Sequence, residues 1–541
     1  MLLLALESVA AVAVVPAPPP PPPPAVLPPA ATYETLNFSA PIITTALLQV
    51  PSAGPRSRKY FAYWRAFNDT QDKSAATFDL DFDRIGTLFR TPFDQFCNGP
   101  IVLPDGSPAV FGGNRLGNKA QRDGRKMISV YNEATKSFQL AGSRRLAYDR
   151  WYPTTCITAD NKVLIVGGTP EADKGPKVPE AELWDPARPN NVTIMVKMPP
   201  AFFAASWFNW YPFIALLPGG EIIWWGDRGG SITNKNFSEI YVFPQLPDSF
   251  PYRTMYWYTS SIVLNALKPD VNGEYNSWSM TIFGGAPLDA NWTTPAANAS
   301  ARLDMYYCGS GICDNGWVIE DMGQGRVMAT TTVLPNGKVL VHGGGRVGRA
   351  GWRKNFVPGP KGVYMSTHPA FQDLMYDPDA PTGSRYTLTA TLDIVHMYHA
   401  SSCLDLSGKV ITSGCETCGM TGTLAPDLPA NISRSKSDYD YRISMATPAE
   451  IGPSVQRPVI VHAPSIITRG SIFNVTFNYT GPITGATLAA PCANTHSINM
   501  NQRVLFLPAA AHLGYYQLFL LGANTATGRT YSEGIWVQMA D

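Results

Sequence analysis

Charge is scarce in this sequence. Asp, Glu, Lys and Arg make up 15% of its 541 residues. The signs almost cancel, with 42 basic residues against 41 acidic ones and a formal net charge of +1. A chain without basic excess offers a polyanion no electrostatic footprint, so nucleic acid is not an expected partner. Long apolar runs are missing too. Beyond residues 1–15, no stretch reaches the roughly 18 apolar residues that span a bilayer, so no transmembrane segment is expected in the mature chain. No Gly-rich phosphate loop, nucleophile elbow or paired-carboxylate signature is present.

Glycine (46) and proline (48) are plentiful, aromatics are 11% and hydrophobic residues 45%. A large core of short strands joined by Gly/Pro turns gives that profile. Residues 1–15 are apolar enough for a signal h-region, although they lack a basic n-region and include Glu7. Residues 16–29 are almost pure proline and alanine, the composition of an extended polyproline spacer. Residues 1–31 are therefore assigned to a degenerate signal segment and spacer. Nine Asn-x-Ser/Thr sequons occur, at Asn37, Asn68, Asn191, Asn236, Asn291, Asn298, Asn431, Asn474 and Asn478. Of eight cysteines, Cys308/Cys313 and Cys415/Cys418 are close enough for local disulfides. A C-x-x-C also reads as a zinc half-site or redox motif, but no second copy and no βαβ pattern accompany this one. Sequons and disulfides together point to a secreted glycoprotein.

A repeat governs the middle of the chain. Its unit is an apolar strand, a turn such as Pro104-Asp105-Gly106 or Pro335-Asn336-Gly337, a second apolar strand, then Gly-Gly. Copies end near Gly112, Gly167, Gly226, Gly284, Gly343 and Ser413, at intervals of 55, 59, 58, 59 and 70 residues. Kelch-type blades run about 50 residues. Thr44–Leu48 with Tyr60–Trp64 supplies a seventh copy. The expected fold is all-β, a seven-bladed kelch-type β-propeller over 32–453. After Pro453 the strands Arg457–Val461, Ser471–Phe477, Gly514–Leu520 and Gly534–Val537 fit an Ig-like β-sandwich over 454–541.

Three hairpins are preceded by aromatic-polar signals: Arg150-Trp151-Tyr152-Pro153, Asn209-Trp210-Tyr211-Pro212 and His396-Met397-Tyr398-His399. A further histidine lies in Thr495-His496-Ser497, upstream of Gln502-Arg503. With Phe96-Cys97-Asn98-Gly99, Gly325-Arg326-Val327-Met328, Gly351-Trp352 and Gly514-Tyr515-Tyr516, these motifs resemble the galactose oxidase and glyoxal oxidase family of copper-radical oxidases. The resemblance runs from about residue 35 to the end and is nearer the glyoxal oxidase branch.

The resemblance implies one copper ion held by Tyr152, Tyr398, His399 and His496. It implies that Cys97 forms a thioether with Tyr152, the radical cofactor, and that Tyr398 is the axial phenolate and general base. Imidazole nitrogen and phenolate oxygen suit copper(II). The metal supplies one electron equivalent of a two-electron oxidation, and the cross-linked phenoxyl supplies the other. The implied reaction takes a small aldehyde, as its hydrate, to a carboxylic acid and reduces O2 to H2O2. Alternatives are a carbohydrate primary-alcohol oxidase, or a non-catalytic extracellular kelch propeller binding glycans or proteins. The polyproline spacer suggests association with a cell wall or matrix. His342, His368, His462 and His512 match no ligand motif and are expected to be surface or packing residues; Met328 is expected in the core.

Three departures from the family pattern stand out. Gly167-Gly168 is followed by Thr169-Pro170, where galactose oxidases carry a Trp that stacks on the cross-linked tyrosine. His396 replaces an Arg common in the family, which is expected to weaken the positive charge near the site. The stretch from Leu507 to Gly514 is also short, and a sandwich strand is expected to be missing there.

Overall fold

The structure is a computed structural model and describes residues 29–36, 45–64, 73–82, 84–115, 121–170, 176–206, 208–309, 311–352, 364–414, 442–508 and 511–541. Among them a single α-helix of six residues, Pro200–Ala205, breaks an otherwise all-β chain. Seven sheets each contain a four-strand antiparallel meander. Two of these sheets are formed across the sequence. Ala31–Leu36 pairs with Ile443–Pro448 beside Val410–Ser413 and Ser401–Leu404. Ala46–Gln49, Lys59–Tyr63, Lys73–Asp79 and Arg84–Arg90 form the other, extended by a hairpin from near the C-terminus.

The repeat motif has a local cause. In the first hairpin Gly99–Val102 pairs with Pro108–Phe111. Gly106, at φ 81°, reverses the chain, with Leu103 N donating to Ser107 O at 2.9 Å. Gly337 (φ 91°) and Gly408 (φ 82°) do the same in their hairpins, a conformation open to glycine without a Cβ clash. The Gly-Gly pairs serve contact between sheets. The amides of Gly113, Gly168, Gly285 and Gly344 donate to the carbonyls of Arg150, Asn209, Arg326 and His396 at 2.8–2.9 Å. A Cβ on Gly112, Gly167, Gly284 or Gly343 would meet those same four carbonyl oxygens at 2.1–2.5 Å. Each Gly-Gly thus clamps the chain entering a neighbouring sheet. Arg150 and Arg326 brace that junction from below the surface. Their Nη1 atoms donate to the carbonyls of Gly167 and Gly343 at 2.7 and 2.8 Å.

The first strands of the sheets lie side by side. Trp151–Ile157 packs against Gly99–Val102 and Phe213–Leu216, and Thr330–Val333 packs against Ser261–Leu264 and Ser401–Leu404. Ala46–Gln49 packs against Gly99–Val102 and Ser401–Leu404.

The C-terminal region is a six-stranded sheet in the order Ile466–Thr468, Ile535–Ala540, Gly514–Thr525, Gly485–Ala489, Val504–Phe506, with Gly528–Tyr531 on Gly514–Thr525. Beside it, Val459–His462 pairs with Thr476–Asn478. The strand expected at Ser471–Phe477 is confined to Thr476–Asn478; ahead of it Phe473 and Val475 pack on the core while Ile472 is 98% exposed. Leu488, Leu505, Leu518 and Leu520 share one core with Trp225, Leu264 and Ile282 of the meanders. Between Ala489 and Val504 the chain leaves this sheet as the hairpin Ala493–Thr495/Ile498–Asn499. The hairpin adds to Ala46–Gln49 and packs against Gly99–Val102, Thr330–Val333 and Ser401–Leu404.

Two disulfides form among the described residues. Cys308–Cys313 is the expected local one. The other joins Cys403 to Cys492 across 89 residues and was not expected from spacing. Cys415 and Cys418 lie outside the described residues. No helix among the described residues is long and apolar enough to cross a membrane.

Candidate metal centre

The clamp that orders the sheets also aims the site. Tyr152, Tyr211, Met328 and Tyr398 each stand two residues after a carbonyl held by a Gly-Gly amide. The same offset therefore delivers side chains from four sheets to one end of the first strands. Backbone bonds register two of them further: Tyr152 N donates to Cys97 O at 3.1 Å, and Tyr211 N to Tyr152 O at 3.0 Å. Cys97, Tyr152, His399 and His496 all have positive φ, at 59°, 62°, 127° and 47°. Non-glycine residues adopt that region at a cost, and it concentrates at functional sites.

All five residues singled out in the sequence come together. Cys97, Tyr152, Tyr398, His399 and His496 are each no more than 5% exposed. His399 Nε2 and His496 Nε2 are 2.7 Å apart, and Cys97 Sγ is 3.8 Å from His496 Nε2. The phenol oxygens of Tyr152 and Tyr398 are 3.3 Å apart. The Tyr152 ring lies 5.1 Å from the His496 ring, centroid to centroid. Thr495 Oγ1 fixes the far edge of His496 through Nδ1 at 2.7 Å.

Burial sets the charge state. It pushes the Tyr152 and Tyr398 phenols well above the ordinary tyrosine range, reinforced by neighbouring phenols and the Cys97 sulfur. Burial, followed by the adjacent His399, holds His496 well below the ordinary histidine range. Phenolates at Tyr152 and Tyr398 therefore require a cation beside them. A cavity of about 10 Å³ lies among Tyr256, Met328, Tyr398, His399 and His496, the room of about one water-sized sphere. Two imidazole nitrogens and phenolic oxygens around such a space fit a copper ion.

Sequence reasoning missed three neighbours. Tyr256 Oη is 2.5 Å from Tyr398 Oη and 3.3 Å from Tyr152 Oη. Tyr211 lies against His496 with ring centroids 4.6 Å apart, its hydroxyl donating to Asn98 O at 2.9 Å. Trp151 stacks on Tyr152 at 3.8 Å and 22°. An indole therefore covers Tyr152 although none follows Gly168. Tyr211 was legible, since Asn209-Trp210-Tyr211-Pro212 repeats the Tyr152 motif. Tyr256 stands in no such copy. Met328 lines the small cavity as well as packing in the core. His396 does not face the site: its ring bonds Gly414 O through Nδ1 and Ser444 Oγ through Nε2, both at 2.7 Å.

Residues 68–434 match the family model described as glyoxal oxidase N-terminus, and residues 457–539 match that described as galactose oxidase-like, early set domain. The chain belongs to the glyoxal oxidase family of copper-radical oxidases. An aldehyde oxidase GLOX from Vitis pseudoreticulata is 26% identical over 490 residues, covering 86% of this chain and 83% of that one. Aldehyde oxidase GLOX1 from Arabidopsis thaliana is 26% identical over 395 residues, covering 67% of this chain and 56% of its own length. A putative aldehyde oxidase, Art an 7 from Artemisia annua, is 23% identical over 482 residues, covering 82% of this chain and 75% of its own. In fold, this family member is similar to a solved fungal alcohol oxidase of the AA5 family in complex with copper. That likeness has a TM-score of 0.69 at 16% identity and covers 95% of this chain and 100% of the other.

Proposed function

We propose that this oxidase takes small glyoxal-type aldehydes, as hydrates, to carboxylic acids while O2 is reduced to H2O2. The observation that carries the reading is the convergence of Tyr152, Tyr398, His399 and His496 with Cys97 in one buried cluster. The plant relatives, named aldehyde oxidases, support the substrate class. In this reading Tyr152, Tyr398, His399 and His496 hold one copper ion. Copper, when bound, would supply one electron equivalent and the redox contact with O2. Tyr152, as a phenoxyl joined to Cys97 by a thioether, would supply the other. Tyr398 accepts the substrate proton as general base. Oxidation of the hydrate releases two protons and two electrons, which is what O2 needs to become H2O2. Tyr256 donates its hydroxyl hydrogen to the Tyr398 oxygen and positions it.

The seven meanders are read as the blades of a propeller over 32–453, with an Ig-like sandwich over 454–541 that sends the His496 hairpin between the first strands. Packing of successive first strands supports that closure. The two disulfides fit an oxidising, extracellular compartment, with residues 1–31 as leader and spacer toward a wall or matrix.

The test is a peroxide-release assay on copper-loaded protein with glyoxal, methylglyoxal and a primary-alcohol sugar side by side. Turnover of the aldehydes is expected. Turnover of the sugar alone would replace the aldehyde reading with the alcohol oxidase one, and no peroxide from any of them would leave a binding propeller.

A further inference from the structure

A second cavity, of about 60 Å³, lies where the C-terminal region meets the strands of Cys156 and Ile214. Met500, Gln502, Arg503, His512 and Tyr516 line it from the C-terminal side. It shares no residue with the cavity at the metal centre. Its contents present an electrostatic problem. Arg503 is 7% exposed, and neither Nε nor Nη2 has a hydrogen-bond partner among the described residues. No Asp or Glu among the described residues lines the cavity. A guanidinium keeps its proton throughout the range in which a protein stays folded. An arginine buried without a counter-charge is strongly unfavourable.

The neighbours do not neutralise it. Burial pushes the Cys156 thiol up to about 12 and the His512 imidazole down to about 3, so both are neutral near pH 7. Burial also raises the Tyr516 phenol. Further polar atoms are left over: both amide atoms of Gln502, and His512 Nε2. The cavity has room for a few waters, which would suffice for the amide and the imidazole. They leave the net charge in place. A dianion would overcompensate a single guanidinium.

We propose that this cavity is a binding site for one small monovalent anion, a halide or a one- to two-carbon carboxylate, held by Arg503 with Gln502 Nε2 as second donor. The site sits at the foot of the segment that carries His496. Ala490 N donates to Arg503 O at 2.8 Å, closing that segment at its base. Met500 Sδ accepts from Thr155 N and Oγ1 at 3.4 Å each. An anion here fastens the base of the segment to the Tyr152 strand without touching a metal ligand. The inference rests on Arg503 and the cavity and is independent of the substrate reading.

The experiment uses the copper-loaded full chain. Crystals soaked in sodium bromide are examined for anomalous scattering, and the unfolding midpoint is titrated with bromide and with formate against sulfate at equal ionic strength. A bromide peak within hydrogen-bond reach of Arg503 Nε or Nη2 is expected. The midpoint should rise and saturate with bromide, as for any ligand that binds the folded state alone, and stay flat in Arg503→Met. Loss of the bromide peak on adding formate extends the site to carboxylates; its persistence confines the site to halides. If Arg503→Met does not fold, the wild-type soak decides. Water alone on Arg503, with bromide confined to the metal centre or absent, would overturn the proposal. So would an equal midpoint response in Arg503→Met.

Discussion

Cys403 and Cys492 are joined by a disulfide, and each lies four residues from a predicted metal-binding imidazole, His399 on one side and His496 on the other. The bond ties the first strand Ser401–Leu404 to the chain leading into the His496 hairpin. The two histidines come from regions nearly a hundred residues apart, and their Nε2 atoms must still converge to 2.7 Å.

Replacing both cysteines by serine should therefore cost stability and metal retention together. Removing a native disulfide typically costs about 2–5 kcal/mol. The copper-loaded double variant should unfold at lower urea and lose copper faster to a chelator. An unchanged rate of copper loss would show that strand packing alone holds the two imidazoles.

Cys97 and Tyr152 should form a thioether when the protein is loaded with copper in air. The bond joins Cys97 Sγ to a ring carbon and removes one hydrogen from each residue, with O2 as oxidant. Intact mass should fall by two hydrogens beyond those lost to disulfides. Cys97→Ser should bind copper and lack that loss. Separate, unmodified Cys97 and Tyr152 peptides from fully active enzyme would sink the idea.

The legible part of this structure was the part that repeats. Gly-Gly ends and X-Gly turns are backbone requirements, so they reappear in the sequence each time the geometry does. They located the hairpins, while Tyr152 and Tyr398 were legible through the motifs that carry the family resemblance. His496 was legible through its motif. The Cys403–Cys492 bond was not, because neither residue belongs to a repeat and pairing depends on where a distant hairpin lands. Tyr256 was hidden for a related reason. The sheet before it ends in Gly226-Asp227, and Thr254 Oγ1 makes the clamp to Asp227 O in place of a glycine amide. The leftover polarity of Arg503 and His512 is a property of burial, which the sequence pattern did not encode, and His512 read simply as packing.

His512 should make the protein acid-sensitive. Burial, then the positive charges of Arg503 and Arg469, hold it at about 3, against an ordinary value of 6.5. Between those values the unfolded chain takes up a proton that the folded chain refuses. Its contribution is therefore neutral above 6.5, and stability falls as pH drops from 6.5 toward 3, by about 1.4 kcal/mol per pH unit. Urea titrations at several pH values in halide-free buffer should show a shallower acid slope for His512→Gln. Identical slopes would mean that the imidazole titrates normally in the folded state.

Tyr398→Phe should separate copper retention from turnover. In the proposed reading Tyr152, His399 and His496 remain to hold the metal, while the base that would receive the substrate proton is gone. General-base removal costs roughly a hundredfold to ten-thousandfold in rate. Metal analysis and peroxide release on one preparation are the check. Loss of both copper and activity would make Tyr398 a structural ligand. His396 cannot substitute as base, since both ring nitrogens are bonded to Gly414 and Ser444.

Tyr256→Phe is the finer probe of the same oxygen. Tyr256 is 8% exposed, and its hydroxyl reaches Tyr398 Oη at 2.5 Å and Tyr152 Oη at 3.3 Å. A hydrogen bond to a charged oxygen is worth about 1.5–3 kcal/mol, and 1.36 kcal/mol is tenfold in rate. In the proposed reading, copper binding makes Tyr398 the phenolate of this pair and leaves Tyr256 as the donor. Removing the donor leaves the phenolate more basic and free to swing from its working position. Copper content and thioether yield should be normal, and the phenolate-to-copper absorption band should move. Turnover should fall by about tenfold or more, less than in Tyr398→Phe. In Tyr256→Phe/Tyr398→Phe the second change should add almost nothing, since Tyr256 acts through the oxygen already removed. A band that stays in place with full turnover would show that the Tyr256 hydroxyl only fills space beside the metal centre.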